Sequence, residues 1–240
     1  MARHGKRYRE QLAKVDRERE YSPVEAIGLV KDLQSAKFSE TVETHVRTGL
    51  NVRHADQQLR GTISLPNGLG RTVTVAVFAT GDKAREAEEA GADVVGGEDL
   101  AERVQGGFTD FDTAIATPDM MPVVGRLGRI LGPQGKMPNP RVGTVTPDIA
   151  RAVSESKAGR VEYRTDRSAI LHLPIGKTDF EDRALLENYA AFIEELVRAK
   201  PAAAKGRYLR SITLSTTMGP GVPVDPSRIR NIVDEAAAVA

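Results

Sequence analysis

Apolar residues follow one pattern in the middle of the chain and another toward its two ends. Between Arg71 and Ala116, short apolar runs (VTVAVFAT, ADVVGG and FDTAIAT) alternate with Ala/Glu-rich segments of helical character. Continuously apolar runs of this length are typical of strands that are buried on both faces, as in a parallel sheet. The pattern therefore predicts a βαβαβ unit with helices on the faces of a mostly parallel sheet.

Two more helices are predicted after this unit. The first covers Asp119 to Leu131, and the second covers Asp148 to Lys157. Thr146 is the expected N-cap of the second helix, Pro147 its first residue and Gly159 its end.

The N-terminal part is predicted to contain a helix and then a strand with one wet face. Ser22-Pro23-Val24-Glu25 is a capping box, and the helix that it opens should end near Ala36. In the strand that follows, apolar and polar residues alternate. The apolar face consists of Val42, Val46, Leu50 and Val52, and the polar face of Thr41, Glu43, His45 and Arg47.

The C-terminal part is predicted to form a hairpin, an amphipathic helix and a last strand. The segment VEYRTDRSAILHL fits a hairpin that turns around Asp166, and the last strand runs from Leu209 to Thr217. The apolar stripe of the helix is Leu185, Leu186, Tyr189, Ile193, Leu196 and Val197.

These end segments cannot each bury an apolar face alone, so we expect them to share one sheet covered by two helices. The fold class is then mixed α/β and α+β with two domains. A discontinuous α+β domain consists of residues 1–66 and 160–240, and a Rossmann-like α/β domain, residues 67–159, is inserted into it. Both crossings contain Gly or Pro and would act as a double hinge.

The composition excludes several classes of site. The chain has no cysteine, and its four histidines are too scattered for a short metal-ligand motif, so we expect no structural metal and no cofactor. No apolar run reaches the roughly 18 residues that span a bilayer, and the N-terminus lacks the apolar core of a signal peptide. The sequence therefore predicts a cytoplasmic protein without membrane contact.

Charge is unevenly distributed, although the net charge is only +1. Between Gly81 and Asp112 there are ten acidic residues against three basic ones. Basic residues gather at the N-terminus, between Arg126 and Arg141, and from Arg198 to Arg210. This asymmetry indicates faces with different partners.

The segment RLGRILGPQGKMPNPR combines flexible, stiff and basic residues without an acid. Its glycines let the main chain approach a ligand and its prolines restrict the loop, so the composition suits a phosphate-facing loop. An ordinary surface loop with solvated charges is the alternative. The basic side chains are Arg126, Arg129, Lys136 and Arg141.

The last strand has a hydroxyl-lined face and runs into Met218-Gly219-Pro220-Gly221. Hydroxyls donate and accept hydrogen bonds, which fits the sugar and phosphate oxygens of RNA. A merely solvated strand face is the alternative. The residues of this face are Ser211, Thr213, Ser215 and Thr217.

A nucleotide-binding enzyme is the competing class, since a βαβαβ unit is where nucleotides often bind. The spacing argues against it. Ile130 stands where a P-loop needs its first glycine, Met137 stands where it needs Ser or Thr, and Gly96-Gly97 lacks the third glycine of GxGxxG. No catalytic triad or carboxylate pair is legible. We therefore expect no enzymatic activity.

Over nearly its whole length the chain resembles the family of bacterial ribosomal proteins numbered one of the large subunit. Several long motifs occur in the family's order. They are HGKRY (His4 to Tyr8), AKFSETVE (Ala36 to Glu43), GTISLPNGLG (Gly61 to Gly70), EAGADVVGG (Glu89 to Gly97), LGRILGPQGKMPNP (Leu127 to Pro140), KAGRVEYR (Lys157 to Arg164) and STTMGP (Ser215 to Pro220). The Ala-rich tail PSRIRNIVDEAAAVA departs from the pattern, and no function is assigned to it.

The resemblance implies a structural protein of the mobile stalk that binds a large-subunit rRNA junction mainly through the discontinuous domain. It also implies contact with exit-site tRNA during its release, repression of the protein's own operon mRNA, and a monomer when free. The implied RNA contacts are Phe38, Thr41, Glu43, Ser211, Thr217, Met218 and Gly219, with supporting contacts from Lys37, Arg164, Thr165, Arg167 and His172. The loop from Arg126 to Arg141 is the expected tRNA-facing segment.

Overall fold

The computed structural model describes residues 5–228, with the side chain of Arg141 excepted. Most of the Ala-rich tail therefore lies outside the described residues. The helices are α1 (Lys6–Leu12), α2 (Pro23–Asp32), α3 (Asp82–Glu89), α4 (Glu98–Gln105), α5 (Met121–Val124), α6 (Gly128–Leu131), α7 (Ile149–Lys157) and α8 (Asp182–Arg198). The strands are β1 (Thr41–Thr48), β2 (Arg60–Ser64), β3 (Val75–Phe78), β4 (Val94–Gly96), β5 (Thr113–Ala116), β6 (Arg160–Arg164), β7 (Ile170–Lys177), β8 (Leu209–Thr216) and β9 (Val222–Val224).

The chain divides into two compact units. The first comprises Met1–Gly70 and Glu162–Ala240, and the second is Arg71–Val161. The predicted domain boundaries, after residues 66 and 159, lie four and two residues before the observed ones. The mixed α/β and α+β fold class is confirmed, because one unit is built on antiparallel pairs and the other on parallel pairs.

The first unit is built on a four-stranded sheet in the order β7-β1-β8-β9. Its pairs are antiparallel, so that His45 lies opposite His172 on one side and Thr213 on the other. Alternation of side chains sends one face to the core, where Val46 and Leu214 are fully buried. Helices α2 and α8 cover this face, since both contact the sheet and each other.

Helix α2 begins as the sequence predicts, with a capping box. The Ser22 hydroxyl accepts the Glu25 N–H, and the Glu25 carboxylate accepts the Ser22 N–H. Pro23 occupies the first helical position, where its missing N–H costs nothing. The helix ends at Asp32 with Leu33 as its C-cap, several residues before the predicted end near Ala36.

Helix α8 buries most of its predicted apolar stripe against the sheet, including Leu185 and Tyr189. Val197 is the exception, because 45% of it is exposed. Asn188 is fully buried on the same helix. It accepts the N–H of Asn67 and donates to the carbonyls of Gly68 and Ile175. These bonds attach the segment just before the inserted unit to the helix.

The hairpin predicted around Asp166 is only partly correct. Asp166 does form the turn, since its N–H donates to the carbonyl of Ile170. The strands on its two sides, however, enter different sheets: β7 joins β1, whereas β6 pairs with β2 in a separate two-stranded sheet. The prediction failed because β2 was not recognised as a partner for β6.

The second unit confirms the predicted βαβαβ pattern. Its strands form a parallel three-stranded sheet in the order β4-β3-β5. Side chains of β3 alternate between two clusters, with Ala76 and Phe78 in one and Val75 and Val77 in the other. Because both faces of β3 are covered, its sequence is continuously apolar.

Two helical predictions in this unit need correction. Asp148, and not Thr146, caps α7: its side chain accepts the N–H of Arg151. The single helix predicted from Asp119 to Leu131 is a succession of short turns: a 3-10 turn at Pro118–Met120 precedes α5, and another at Gly125–Leu127 separates α5 from α6. Pro122 and the glycines at 125 and 128 explain this interruption, since none of them favours a continuous α-helix.

No helix among residues 5–228 is long and apolar enough to cross a membrane.

Candidate nucleic-acid interface

The face of the four-stranded sheet that is turned away from α2 and α8 carries two adjoining rows of polar side chains. We call it the polar sheet face. Glu43 lies opposite Ser215, His45 opposite Thr213 and Arg47 opposite Ser211. Both rows are half-buried or exposed. The residues of the face are Thr41, Glu43, His45 and Arg47 on β1, and Ser211, Thr213, Ser215 and Thr217 on β8 and just beyond it.

One end of this face is closed by a bond between the strands. The Thr217 hydroxyl accepts the N–H of Thr41 at 3.0 Å and lies 3.5 Å from the Thr41 carbonyl, to which it can donate. Ser211 lies at the other end of β8, about 20 Å away at the usual rise per strand residue. Thr41, Glu43, Ser211 and Thr217 thus share one face, but Ser211 does not belong to the cluster around Thr217.

Residues 216–219, which we call the Met218 turn, begin with the last residue of β8 and include Thr217. Met218 is 57% exposed, and Phe38, in the loop before β1, is 55% exposed. Large apolar side chains that are exposed beside polar groups mark contact surfaces, and aromatic rings can stack on unpaired bases. Lys37, next to Phe38, is exposed as well.

Position 219 requires glycine, because only a residue without a side chain fits there. A Cβ atom at this position would collide with the Thr216 hydroxyl oxygen. That oxygen accepts the N–H of Gly219 at 3.0 Å. The Thr216 hydroxyl can approach this N–H because residue 219 has no side chain, so the glycine fixes the shape of the Met218 turn.

Two histidines form a pair in the middle of the polar sheet face. The Nδ1 atoms of His45 and His172 are 2.8 Å apart, and His45 Nε2 is 3.0 Å from the Ser215 hydroxyl. One ring must donate to the other. Burial, together with His172, holds the pKa of His45 below its ordinary value, and Glu43 opposes this only in part. His45 is therefore neutral at pH 7.

A basic concavity lies beside this face, between β6 and the loop after β1. Its volume is about 680 Å³. Arg53, Arg164 and Arg167 line it, all are exposed, and none forms an ion pair with a carboxylate of residues 5–228. Three free guanidinium groups around one hollow favour the phosphates of a nucleic acid. Arg53 was missed by the sequence analysis, because nothing near it in the sequence marks its proximity to Arg164.

Thr165, predicted as a supporting RNA contact, is directed inward. It is buried, and its hydroxyl donates to the carbonyl of Leu59 and accepts the Leu59 N–H. This side chain positions β6 against the segment before β2. His172 is more exposed and points its Nε2 atom toward Asp166, 3.7 Å away.

The segment from Arg126 to Arg141 is less of a loop than its composition suggests. Its first part is helical, and there Arg126 and Arg129 are exposed one turn apart. Lys136 instead donates to the carbonyl of Thr109 at 2.8 Å and lies over the ring of Phe111. The side chain of Arg141 lies outside the described residues. Arg126 and Arg129 are thus the basic side chains seen to be open to a ligand.

The second unit offers no prepared nucleotide site where its parallel strands end. The N–H of Gly97, at the start of α4, donates to the Asp99 carboxylate at 2.8 Å, and a phosphate would have to displace that carboxylate. Asp112 accepts the N–H and the hydroxyl of Thr74. Among residues 5–228 no three His, Asp or Glu side chains lie where they could share a metal ion.

The sequence of the chain is similar to those of known proteins. The sequence profile of the Ribosomal protein L1p/L10e family matches residues 30–220. The chain is 62% identical over 224 residues to the large ribosomal subunit protein uL1 of Rubrobacter xylanophilus, covering 93% of this chain and 97% of that protein. It is 56% identical over 235 residues to the protein of the same name from Mycolicibacterium vanbaalenii, covering 98% and 100%.

A third relative, the large ribosomal subunit protein uL1 of Acidothermus cellulolyticus, is 55% identical over 238 residues, which cover 99% of this chain and all of that protein. These matches extend over both units of the fold. The chain belongs to the Ribosomal protein L1p/L10e family, whose members are structural constituents of the ribosome and not enzymes.

Proposed function

We propose that this protein, a constituent of the large ribosomal subunit, binds rRNA at the junction of the mobile stalk through the polar sheet face and the Met218 turn. The observation that carries the proposal is the bond between Thr217 and Thr41, which joins the beginning of β1 and the end of β8 into one surface. Exposed Phe38 and Met218 extend this surface with apolar contacts. The ribosome of the bacterial cytoplasm is the corresponding location.

Recognition of this kind depends on shape more than on base sequence. Hydroxyl groups and main-chain atoms contact the sugars and phosphates of an irregular RNA backbone, while exposed bases stack on Phe38 or pack on Met218. Such contacts require that the RNA fit a surface formed in advance, so a regular duplex makes few of them. Arg53, Arg164 and Arg167 add affinity that depends on salt.

Substitution of the two exposed apolar side chains, Phe38 and Met218, tests the site. Phe38→Ala combined with Met218→Ala should weaken binding to a stalk-junction RNA by about 1–3 kcal/mol, the usual contribution of one stacked base. Val197→Ala is the matched control, since Val197 is also an exposed apolar side chain but lies on α8. Equal affinities of the double variant and the control would exclude the Met218 turn from the interface.

The discontinuous unit is the rRNA-binding domain in this proposal, and the inserted unit contributes little to rRNA affinity. Acidic side chains concentrate in the first part of the inserted unit and repel phosphate. Its exposed basic pair, Arg126 and Arg129, is instead assigned to the exit-site tRNA, whose release the stalk assists.

Charge reversal tests the tRNA contact. Arg126→Glu with Arg129→Glu should reduce crosslinking of the protein to deacylated tRNA in the exit site and leave binding to the stalk-junction RNA unchanged. Arg85→Glu, on the acidic side of the same unit, is the control. Unchanged crosslinking in the double variant would remove this pair from the tRNA path.

The same surface is proposed to repress translation of the protein's own operon mRNA, with the free protein acting as a monomer. A messenger segment shaped like the rRNA junction would bind the Met218 turn in the same way. Leader RNA and junction RNA should therefore compete for the protein, and Thr217→Val should weaken both complexes by the same factor. Simultaneous binding of the two RNAs would contradict a shared site.

A further inference from the structure

Glu40 is a fully buried carboxylate just before β1, and the sequence pattern gave it no role. Its Oε1 atom accepts the N–H groups of Ser35 and Ala36 at 3.0 and 2.9 Å. Its Oε2 atom accepts the N–H of Met218 at 2.9 Å. An ionised carboxylate only accepts hydrogen bonds, and the surrounding donors match this requirement. One side chain thus connects the loop that carries Phe38 with the Met218 turn.

Thr216 extends this connection by one residue. Its hydroxyl bonds to the Glu40 carboxylate and accepts the N–H of Gly219 at 3.0 Å. Glu40 therefore holds the N–H of Met218 directly and that of Gly219 through Thr216. Both successive amides of the turn are fixed by the same buried charge.

The backbone of Glu40 is anchored as well. Its N–H donates to the Thr178 hydroxyl at 3.1 Å, and its carbonyl accepts the Thr178 N–H at 2.9 Å. Thr178 follows directly after β7, so these bonds attach Glu40 to the neighbouring edge of the sheet. The carboxylate is thus held from a fixed backbone, and the segments bonded to it take their position from the sheet.

The carboxylate is ionised at neutral pH. Burial acts to raise the pKa of Glu40, but the N–H bonds from Ala36 and Met218 and the bond from Thr216 outweigh it and leave the pKa below its ordinary value of 4.5. Hydrogen bonds to a charged acceptor are stronger than those between neutral groups. The charge therefore gives the two segments a single preferred arrangement.

We propose that Glu40 is a positioning residue for RNA recognition, which fixes the Phe38 loop and the Met218 turn in their binding arrangement before the RNA arrives. The inference rests on the proposed function of this surface. Segments that are already ordered lose less conformational entropy on binding, so the connection contributes affinity without any contact between Glu40 and RNA.

Glu40→Gln tests this role, because it keeps the shape of the side chain but replaces one acceptor oxygen with an N–H₂ group that faces backbone donors. We expect binding to the stalk-junction RNA to weaken by roughly tenfold to a hundredfold, the effect of one charge-assisted hydrogen bond. Amide hydrogen exchange of Ala36 and Met218 should also accelerate in the free variant.

Asn188→Leu is the matched control for a loss of stability alone. Asn188 is another fully buried polar residue of the same unit, and its partners Asn67, Gly68 and Ile175 are not among the proposed RNA contacts. This variant should lose unfolding free energy in urea yet bind the RNA like the wild type and keep Ala36 and Met218 protected.

If Glu40→Gln binds the RNA as tightly as the wild type, or if Asn188→Leu weakens binding equally, the positioning role is overturned. If the wild type itself does not prefer the junction RNA to a duplex, the proposed function fails first. If Glu40→Gln does not fold, Thr216→Val takes its place: it removes the bonds of the Thr216 hydroxyl to Glu40 and to the N–H of Gly219 but keeps the carboxylate, and an unchanged RNA affinity would overturn the inference.

Discussion

The hydroxyl oxygen of Thr217 lies 3.0 Å from the backbone nitrogen of Thr41, although the two residues are 176 positions apart in the sequence. This bond joins the N-terminal and C-terminal segments of the first unit at one end of the polar sheet face. The Thr217 side chain is exposed, so its oxygen has a second direction open to a ligand while it holds β1. The same hydroxyl therefore holds β1 against the end of β8 and remains accessible to a ligand.

Thr217→Val removes this hydroxyl with little change in shape. We expect the protein to remain folded and its binding to the stalk-junction RNA to weaken by about 1–3 kcal/mol, since a polar partner is left without its hydrogen bond. Titration of labelled junction RNA measures the change. Thr72→Val, which alters an exposed threonine of the inserted unit, should bind normally, and an unchanged affinity of Thr217→Val would remove Thr217 from the site.

Gly28→Ala should stabilise the protein by about 0.5–1 kcal/mol, because glycine in a helix interior is less favourable than alanine. Gly28 lies within α2, and a Cβ atom there would meet nothing within 4 Å. Denaturation in urea measures the gain, with RNA affinity unchanged. Gly70→Ala provides the contrast and should destabilise, since Gly70 has φ +66° and its Cβ would lie 2.5 Å from the ring of Phe180. A loss of stability in Gly28→Ala would contradict the packing around α2.

The histidine pair predicts a dependence of stability on pH. Burial and His172 hold the pKa of His45 below its ordinary value of 6.5, so the unfolded chain takes up this proton at a higher pH than the folded protein does. The stability contributed by the neutral ring is complete above the unfolded value and is lost as pH falls from there through the folded pKa. Asp166 and Glu43, the carboxylates that face the pair, do not reverse this sign.

Unfolding free energies measured in urea at about pH 7.5 and about pH 5.5 bracket this range. They should fall with pH in the wild type and fall less in His45→Gln. His54→Gln, which alters an exposed histidine, should behave like the wild type. The same decrease in all three proteins would show that His45 does not carry the effect.

Removal of the inserted unit tests the division of labour between the units. Residues 71 to 159 are replaced by a flexible Gly-Ser linker, which keeps Asn67 and Gly68 on Asn188 and leaves β6 complete. We expect a change in rRNA affinity below about 1 kcal/mol, because the acidic part of this unit makes no favourable contact with phosphate. A large loss in a product that is shown to fold would place part of the rRNA site in the inserted unit.

Local patterns predicted the elements whose signals lie within a few neighbouring residues. The capping box at Ser22 and the alternation along β1 are of this kind, since each follows from short-range geometry. The buried β3 was predicted for a similar reason, because burial on both faces makes a strand continuously apolar.

Interactions between distant segments were not predictable in this way. Nothing around Tyr163 shows that β6 pairs with β2 and not with β7, because the choice depends on which strand edge is free. The candidate site shows the same limit. The polar face of β8 was visible in the sequence, whereas the burial of Glu40 and its bond to Met218 join residues 178 positions apart.

The central claim is that a preformed surface recognises the shape of an rRNA junction. The most direct test is the affinity of the purified protein for a large-subunit stalk junction and for a plain RNA duplex of equal length, across a salt series. We expect tight junction binding that persists as salt rises, and weak duplex binding that is lost with salt. Equal and steeply salt-dependent binding to both RNAs would contradict the account, since it would leave only a basic surface.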